Sequence, residues 1–225
     1  MHRLEKYLRD VHDNHATGAA TKETSYYPAL QRLLHAIGEM IKPKVRCVMN
    51  LKNQGAGLPD GGLFTLDQIP RGSEAPAEGQ IPSRGVIECK APKEDAWKVA
   101  ESPQVSRYWD KYRQVLVTNY RDFVLVAQDE HGTAVVRETF RLAESEKAFW
   151  EAAAHPTETV ARLGERFVEY LQRTLLHEAP LSDPKDVAWY LASYARDVRA
   201  RLEAAKLPAL DAVRTPFQEA LGLKF

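Results

Sequence analysis

The chain has 225 residues and sets 31 Lys and Arg against 31 Asp and Glu, for a formal net charge of zero. With 44% hydrophobic and 28% charged residues it has the make-up of a folded globular protein, not a disordered one. The length allows one large domain, or one domain with a smaller appendage, and excludes several large catalytic domains in a single chain. No apolar run approaches the roughly 20 residues that a membrane span needs. The N-terminal MHRLEKYLRDVHDNH places charges where a signal peptide keeps its apolar core, so the expectation is an intracellular, cytoplasmic protein without a membrane partner. Bulk charge lacks the basic signature of many nucleic-acid-binding domains.

In chain order, a short polar helix over about 2–14 is followed by the small-residue stretch HATGAATKETS. Leu30, Leu33, Leu34, Ile37 and Ile41 then recur at helical spacing, with Ser25 as a cap and Pro28 in the first turn, where its missing N–H is harmless. Val45–Leu51 reads as a strand, NQGAGLP as a glycine-rich turn and Gly61–Leu66 as a second strand antiparallel to the first. Residues 67–83 are Pro-, Gly-, Ser- and Glu-rich and read as a surface loop. Gly85–Lys90 is a third strand, Gln104–Tyr112 a helix, and Gln114–Thr118 and Asp122–Ala127 two more strands joined through TNYRD. Thr133–Glu138 reads as a sixth. Beyond about 140 the pattern is all helical: ESEKAFWEAAA, then Thr157–Leu175, then a helix capped by Ser182-Asp183-Pro184, and a last helix after Pro208. The fold class is therefore α/β, a mixed central sheet flanked by helices, over 1–140, with an all-helical extension or connector over 141–225.

Several chemistries lack support. The seven histidines show no HExxH or paired metal spacing, and His12 and His15 read as solvated near the terminus. Cys47 and Cys89 are too few for a disulfide framework or a cysteine zinc site, and lie in the apolar runs VRCVM and VIECK as buried thiols. There is no GxxxxGK[ST] loop and no GxGxxG fingerprint.

One constellation stands out: GLPDGG at 57–62 with RGVIECK at 84–90. Asp60 opens the second strand after a tight turn. Glu88 and Lys90 lie two apart on the third and project from one face. If the two strands are neighbours, two carboxylates and an ammonium converge at a strand end. Carboxylate oxygens suit a hard cation such as Mg²⁺, the Cys89 carbonyl can add a ligand, and Lys90 can orient an attacking water and offset phosphate charge. That is metal-assisted phosphodiester hydrolysis. Gly61 and Gly62 either let a nucleic-acid backbone approach or mark a bulge in an edge strand.

On these residues the chain resembles the PD-(D/E)xK nuclease superfamily, with its restriction-endonuclease-like fold. Residues 21–127, including TKETSYYPALQRLL, KPKVRCVMNLKNQGAGLPDGGLFT and QVLVTNYRDFVLV, are similar to the N-terminal nuclease region of type ISP restriction-modification enzymes, single-polypeptide relatives of type I systems. The similarity continues in HPTETVARLGERFVEYLQRTLLHEAPL and DVAWYLASYARD. The resemblance implies Asp60 and Glu88 as metal ligands and Lys90 as the motif lysine, with Mg²⁺ as cofactor and Mn²⁺ as a substitute. It implies Glu23 as an accessory ligand; the same residue is also explained as a first-turn acid favoured by the helix dipole. Gln104, with Tyr108 one turn later, resembles a Q-x-x-x-Y pattern whose glutamine positions water or phosphate. Tyr108 and Tyr112 are equally well explained as core aromatics; the Asn119-Tyr120 turn is a weaker candidate for a substrate contact, and turn chemistry alone accounts for Asn119.

Such enzymes continue into a motor, an N6-adenine methyltransferase with an NPPY motif and a target-recognition domain, none of which this sequence contains. The expectation is thus a piece of a longer enzyme, cut after Phe225, with double-stranded DNA as substrate and covalently linked motor and methyltransferase domains as partners. Locally, Lys42, Lys44, Arg46 and Lys52 make a run without an acid over 40–59, and Arg107, Lys111, Arg113 and Arg121 follow the motif lysine. These are candidate phosphate contacts. The leading expectation is a Mg²⁺-dependent DNA endonuclease module of a restriction-modification or phage-defence system. The alternative is a DNA-binding or regulatory module that keeps the nuclease fold but is quiet on its own.

Overall fold

Leu4, Tyr7, Leu8 and Val11 stand at i, i+3, i+4 and i+7, and that spacing turns the N-terminal segment into α1 (Arg3–Ala16) with one fully buried face. The segment reads as polar in sequence, but four apolar side chains on one stripe suffice to dock it. His15 is not merely solvated: its ring stacks on Trp150 with centroids 3.6 Å apart, and its Nδ1 lies 3.4 Å from the Tyr26 hydroxyl. The computed structural model describes residues 1–18, 23–53, 55–73, 75–181 and 183–205.

A 3₁₀ turn (Glu23–Tyr26) leads into α2 (Tyr27–Gly38), with Pro28 in the first turn as the sequence requires. Strands β1 (Val45–Met49), β2 (Gly61–Thr65), β3 (Val86–Cys89), β4 (Val115–Thr118), β5 (Asp122–Gln128) and β6 (Ala134–Arg141) form one sheet in the order β1-β2-β3-β4-β5-β6. Only β3 and β4 pair in parallel; the other neighbours are antiparallel. The parallel pair needs a crossover, which α3 (Ala96–Ala100) and α4 (Pro103–Tyr112) supply. Ser102 caps α4 through its side chain at 3.3 Å.

Strand alternation sorts the core onto two faces. Val86, Val115, Val117, Val124 and Val126 pack with Val105, Tyr108, Trp109 and Tyr112 on the α3–α4 side. Phe123, on the opposite face, meets Tyr7 of α1 edge-on at 6.4 Å and Phe167 at 5.0 Å. Phe167 belongs to α6 (Pro156–Leu176), which with α5 (Glu146–Ala154) packs against α1. The buried Arg173 of α6 pairs with Glu138 of β6. Helices expected to lie in a separate extension are thus part of the first compact unit, which runs Met1–Pro180 instead of ending near 140. The physical reason is α6 itself, whose broad apolar stripe is covered by α1 and the sheet.

The second unit, Leu181–Phe225, contributes α7 (Pro184–Ala204), capped by the Asp183 side chain at 2.8 Å. Ser182, read with Asp183 as the cap, and the helix expected after Pro208 lie outside the described residues. Cys47 and Cys89 are buried free thiols, and burial pushes the Cys47 thiol up to about 12. Among the described residues no helix is long and apolar enough to cross a membrane.

Candidate active site

The β2–β3 ladder ends at Gly61–Ile87, one residue after Asp60. Beyond that point no backbone carbonyl from β2 reaches the Cys89 N–H, and the Asp60 side chain takes its place: Oδ2 accepts from Cys89 N at 2.6 Å. Its other oxygen, Oδ1, accepts from the Tyr27 hydroxyl at the start of α2. The Asp60 carbonyl accepts from Asn50 N at 2.6 Å, which closes the 50–60 loop. Two elements, α2 and β3, therefore hold this carboxylate before any ligand arrives, and the 50–60 loop holds its backbone.

Glu88 lies on β3 with 1% of its surface exposed. Its Oε1 accepts from Lys90 Nζ at 2.6 Å, while Oε2 is buried with no hydrogen-bond partner. Burial pushes the Glu88 carboxyl up to about 7; Lys90 opposes that shift, and Asp60 and Glu23 reinforce it. For Lys90, burial alone lowers the ammonium, but Glu88, Glu23 and Asp60 together outweigh it and the net shift is upward. A buried carboxylate oxygen without a donor is costly in a folded protein. It is the arrangement expected where a cation completes the set.

Glu23, in the 3₁₀ turn, is partly buried, and burial with the neighbouring Asp60 and Glu94 raises its carboxyl against the pull of Lys90. It thus faces the same cluster. Its backbone carbonyl accepts from the Tyr120 hydroxyl at 2.6 Å, and the Tyr120 carbonyl accepts from Tyr7 at 2.7 Å. Tyr120 sits at φ 70 in the β4–β5 turn, where Asn119 accepts from Asp122 N at 2.7 Å and donates to the Glu94 carbonyl at 2.6 Å. Asn119 is fully buried, so turn chemistry accounts for it and a substrate contact does not.

Hard oxygen donors fit Mg²⁺, which keeps several waters and needs few protein ligands. Asp60 and the orphaned Glu88 Oε2 would supply two. In an extended strand the N–H and C=O of one residue point to the same side. The Cys89 carbonyl is therefore directed toward the side where its N–H meets Asp60, and would supply a third. Among the described residues no group of three or more His, Cys, Asp or Glu side chains is arranged to hold a metal. Glu23 accordingly does not complete a three-carboxylate cage with Asp60 and Glu88.

Gln104 Nε2 donates to the Tyr108 hydroxyl at 2.9 Å, and burial followed by Glu88 and Asp60 raises that phenol, with Gln104 opposing. Gln104 is therefore tied to the wall of the site through Tyr108. Arg107 is exposed on α4, and Lys111 lies over the Tyr112 ring at 5.6 Å, beside the 50–60 loop that carries the exposed Lys52. Lys42 and Lys44 are elsewhere. They precede β1 at the end remote from Asp60, about 17 Å away along five strand residues, and Lys44 is paired with Glu39 at 2.8 Å. Arg46 reaches the Ser73 carbonyl at 3.4 Å.

Gly61 and Gly62 serve packing and not nucleic-acid approach. A Cβ on Gly61 would stand 2.6 Å from Met49 Sδ, and one on Gly62 would meet Leu51, Pro82 and Phe64 within 2.9 Å. Nor do they form a bulge in an edge strand, since β2 lies between β1 and β3 in regular register. Sequence reasoning missed Tyr27, and offered Tyr120 only as part of a turn that could touch substrate, whereas its hydroxyl holds the Glu23 carbonyl. For Tyr27 the signal was present: it lies four residues after Glu23 in KETSYYP, one helical turn on.

The chain matches no protein-family model and no curated protein. Among solved structures it is similar to one described as a cryo-EM structure of a DrdV–DNA complex, at 19% identity and a TM-score of 0.48. The similarity covers 79% of this chain and 14% of that one, so this chain spans a small fraction of its neighbour's length.

Proposed function

We propose that the chain is a Mg²⁺-dependent DNA endonuclease module of the PD-(D/E)xK type, with a restriction-endonuclease-like core, from a restriction-modification or phage-defence system. One observation carries the reading: Glu88 Oε2 is buried and unpartnered at the strand end where Asp60 and Lys90 also converge. A cation held by Asp60, Glu88 and the Cys89 carbonyl would supply Lewis-acid activation of water and offset charge on the phosphate. The chain's own residues do the rest. Tyr27 and the Cys89 N–H fix the Asp60 carboxylate, and Lys90 offers protons to Glu88 and to a phosphate oxygen beside it. Gln104, hydrogen-bonded to Tyr108, would hold a water or a phosphate. Lys52 and Lys111 border the same loop and, with Arg107 one turn before Lys111 on α4, would be phosphate contacts. In this reading double-stranded DNA is the substrate, Mn²⁺ replaces Mg²⁺, and motor and methyltransferase domains are linked partners.

Plasmid nicking in Mg²⁺ and in EDTA, for the wild type, Asp60→Ala and Lys90→Ala, tests it. Cutting by the wild type in Mg²⁺ alone is expected, and equal cutting by all three proteins sinks the assignment. A second reading rests on there being, among the described residues, no group of three side-chain ligands: a DNA-binding or regulatory module, attached to an N6-adenine methyltransferase, that is inactive as a nuclease on its own. DNA binding without nicking, together with metal binding that Glu88→Ala abolishes, would favour it.

A further inference from the structure

Along α2 the side chains at 27, 31 and 35 follow one face. Tyr27 reaches Asp60, and Gln31 donates to the Cys47 carbonyl on β1 at 3.3 Å. Gln31 and His35 both line a cleft of about 600 Å³ between α1, α2 and β1. His35 is about 12 Å from Tyr27 along the helix axis, the rise of three to four phosphates in one strand of a duplex. The cleft therefore begins one helical turn from the candidate site and leads away from it.

Its walls are cationic. Arg3 and Lys6 of α1, Arg32 of α2 and Arg46 of β1 line it, with Asp10 as the one carboxylate. Asp10 is taken by Arg32 at 2.9 Å. Arg3 and Lys6 are exposed, and among the described residues neither is in an ion pair. Arg46 uses Nη1 on the Ser73 carbonyl, but its Nε is buried with no partner. Gathering cations round a concavity is unfavourable unless an anion enters, and phosphates suit guanidinium donors best.

We propose that this cleft binds the phosphates of a nucleic-acid strand running past the candidate site, as a phosphate track distinct from the carboxylate pair. The proposal rests on the DNA-directed reading above. Neutrality of the whole chain does not oppose it, because phosphate binding follows the local charge.

The test uses the full chain in EDTA, where cutting cannot interfere. Binding of a labelled duplex and of a single strand of equal length is followed by fluorescence anisotropy across a salt series. The proteins are the wild type, the double variant Arg3→Ala/Lys6→Ala, and Lys147→Ala as a control for lost surface charge on α5. The double variant is expected to bind about tenfold or more weakly at low salt, with a log–log salt slope smaller by about two; the control keeps both. The ranking of duplex and single strand tells which form the track takes. Several outcomes overturn the proposal: no binding by the wild type, an unchanged slope in the double variant, an equal loss in the control, or tighter binding of a polyglutamate peptide than of either oligonucleotide. The nicking assay separates the two readings. If Asp60→Ala cuts like the wild type while the double variant loses binding and slope, the catalytic assignment falls and the track stands. If Asp60→Ala abolishes cutting while the double variant binds normally, the track falls alone.

Discussion

The Tyr27 hydroxyl donates to Asp60 Oδ1 across the boundary between α2 and the start of β2. With Cys89 N on Oδ2 at 2.6 Å, both carboxylate oxygens are anchored by the protein. An oriented carboxylate binds a cation better than a mobile one, and loss of such an orienting partner typically weakens metal binding or activity by about 10–100-fold.

Tyr27→Phe should therefore lower metal affinity by roughly that factor and stability by about 1–3 kcal/mol, because a buried hydrogen bond to a charged group is lost. Mn²⁺ titration followed by electron paramagnetic resonance reads the first, urea unfolding the second. Unchanged affinity would remove Tyr27 from the site.

Glu88 makes metal-free stability depend on pH. Its carboxyl is raised from 4.5 to about 7 by burial, so below 4.5 it is protonated in both folded and unfolded chains and has no effect. Between 4.5 and 7 the unfolded chain gives up the proton first and stability falls as pH rises; above 7 the penalty is constant. That penalty is about 3 kcal/mol at most. Glu88→Gln should thus gain stability over the wild type at pH 8 but not at pH 4, measured by urea unfolding in EDTA. Parallel curves for the two proteins would contradict the burial argument.

Tyr120→Phe removes the donor to the Glu23 carbonyl. A loss of about 1 kcal/mol is expected, together with faster amide exchange in the 3₁₀ turn. The carboxylate pair lies on other elements, so metal affinity should change much less than in Tyr27→Phe.

Gly38→Ala tests the seating of α2. A Cβ there would stand 1.9 Å from the Val45 carbonyl oxygen, backbone that cannot swing aside. The helix must lift from β1, at about 3 kcal/mol or more by the overpacking scale, and Tyr27 should move with it. A thermal melt showing no shift would mean that α2 is seated otherwise.

Much of the architecture is legible in sequence. Val86 and Ile87 followed by Glu88 and Lys90 identify a strand that ends in polar groups, and the glycine-rich turn after Leu51 implies that β1 and β2 pair. Alternation alone puts Glu88 and Lys90 on one face. Proximity in sequence misleads for Lys42 and Lys44, which precede Asp60 by fewer than twenty residues yet sit at the far end of β1, because a strand carries its two ends apart.

The zero net charge says little about function, since it averages the cationic cleft of Arg3, Lys6, Arg32 and Arg46 with acids elsewhere. Local pattern determines helices, strands, the mixed sheet and the pair of acids with a lysine, because period and turn chemistry act over a few residues. Only tertiary packing decides which donors meet Asp60, that Glu88 keeps one oxygen unpartnered, that Gly61 and Gly62 fill with side chains, and that α5 and α6 belong to the sheet's own unit. Most of those contacts join different elements, as Tyr27 and Cys89 meet Asp60 from 33 and 29 positions away, and burial, not spacing, sets their chemistry.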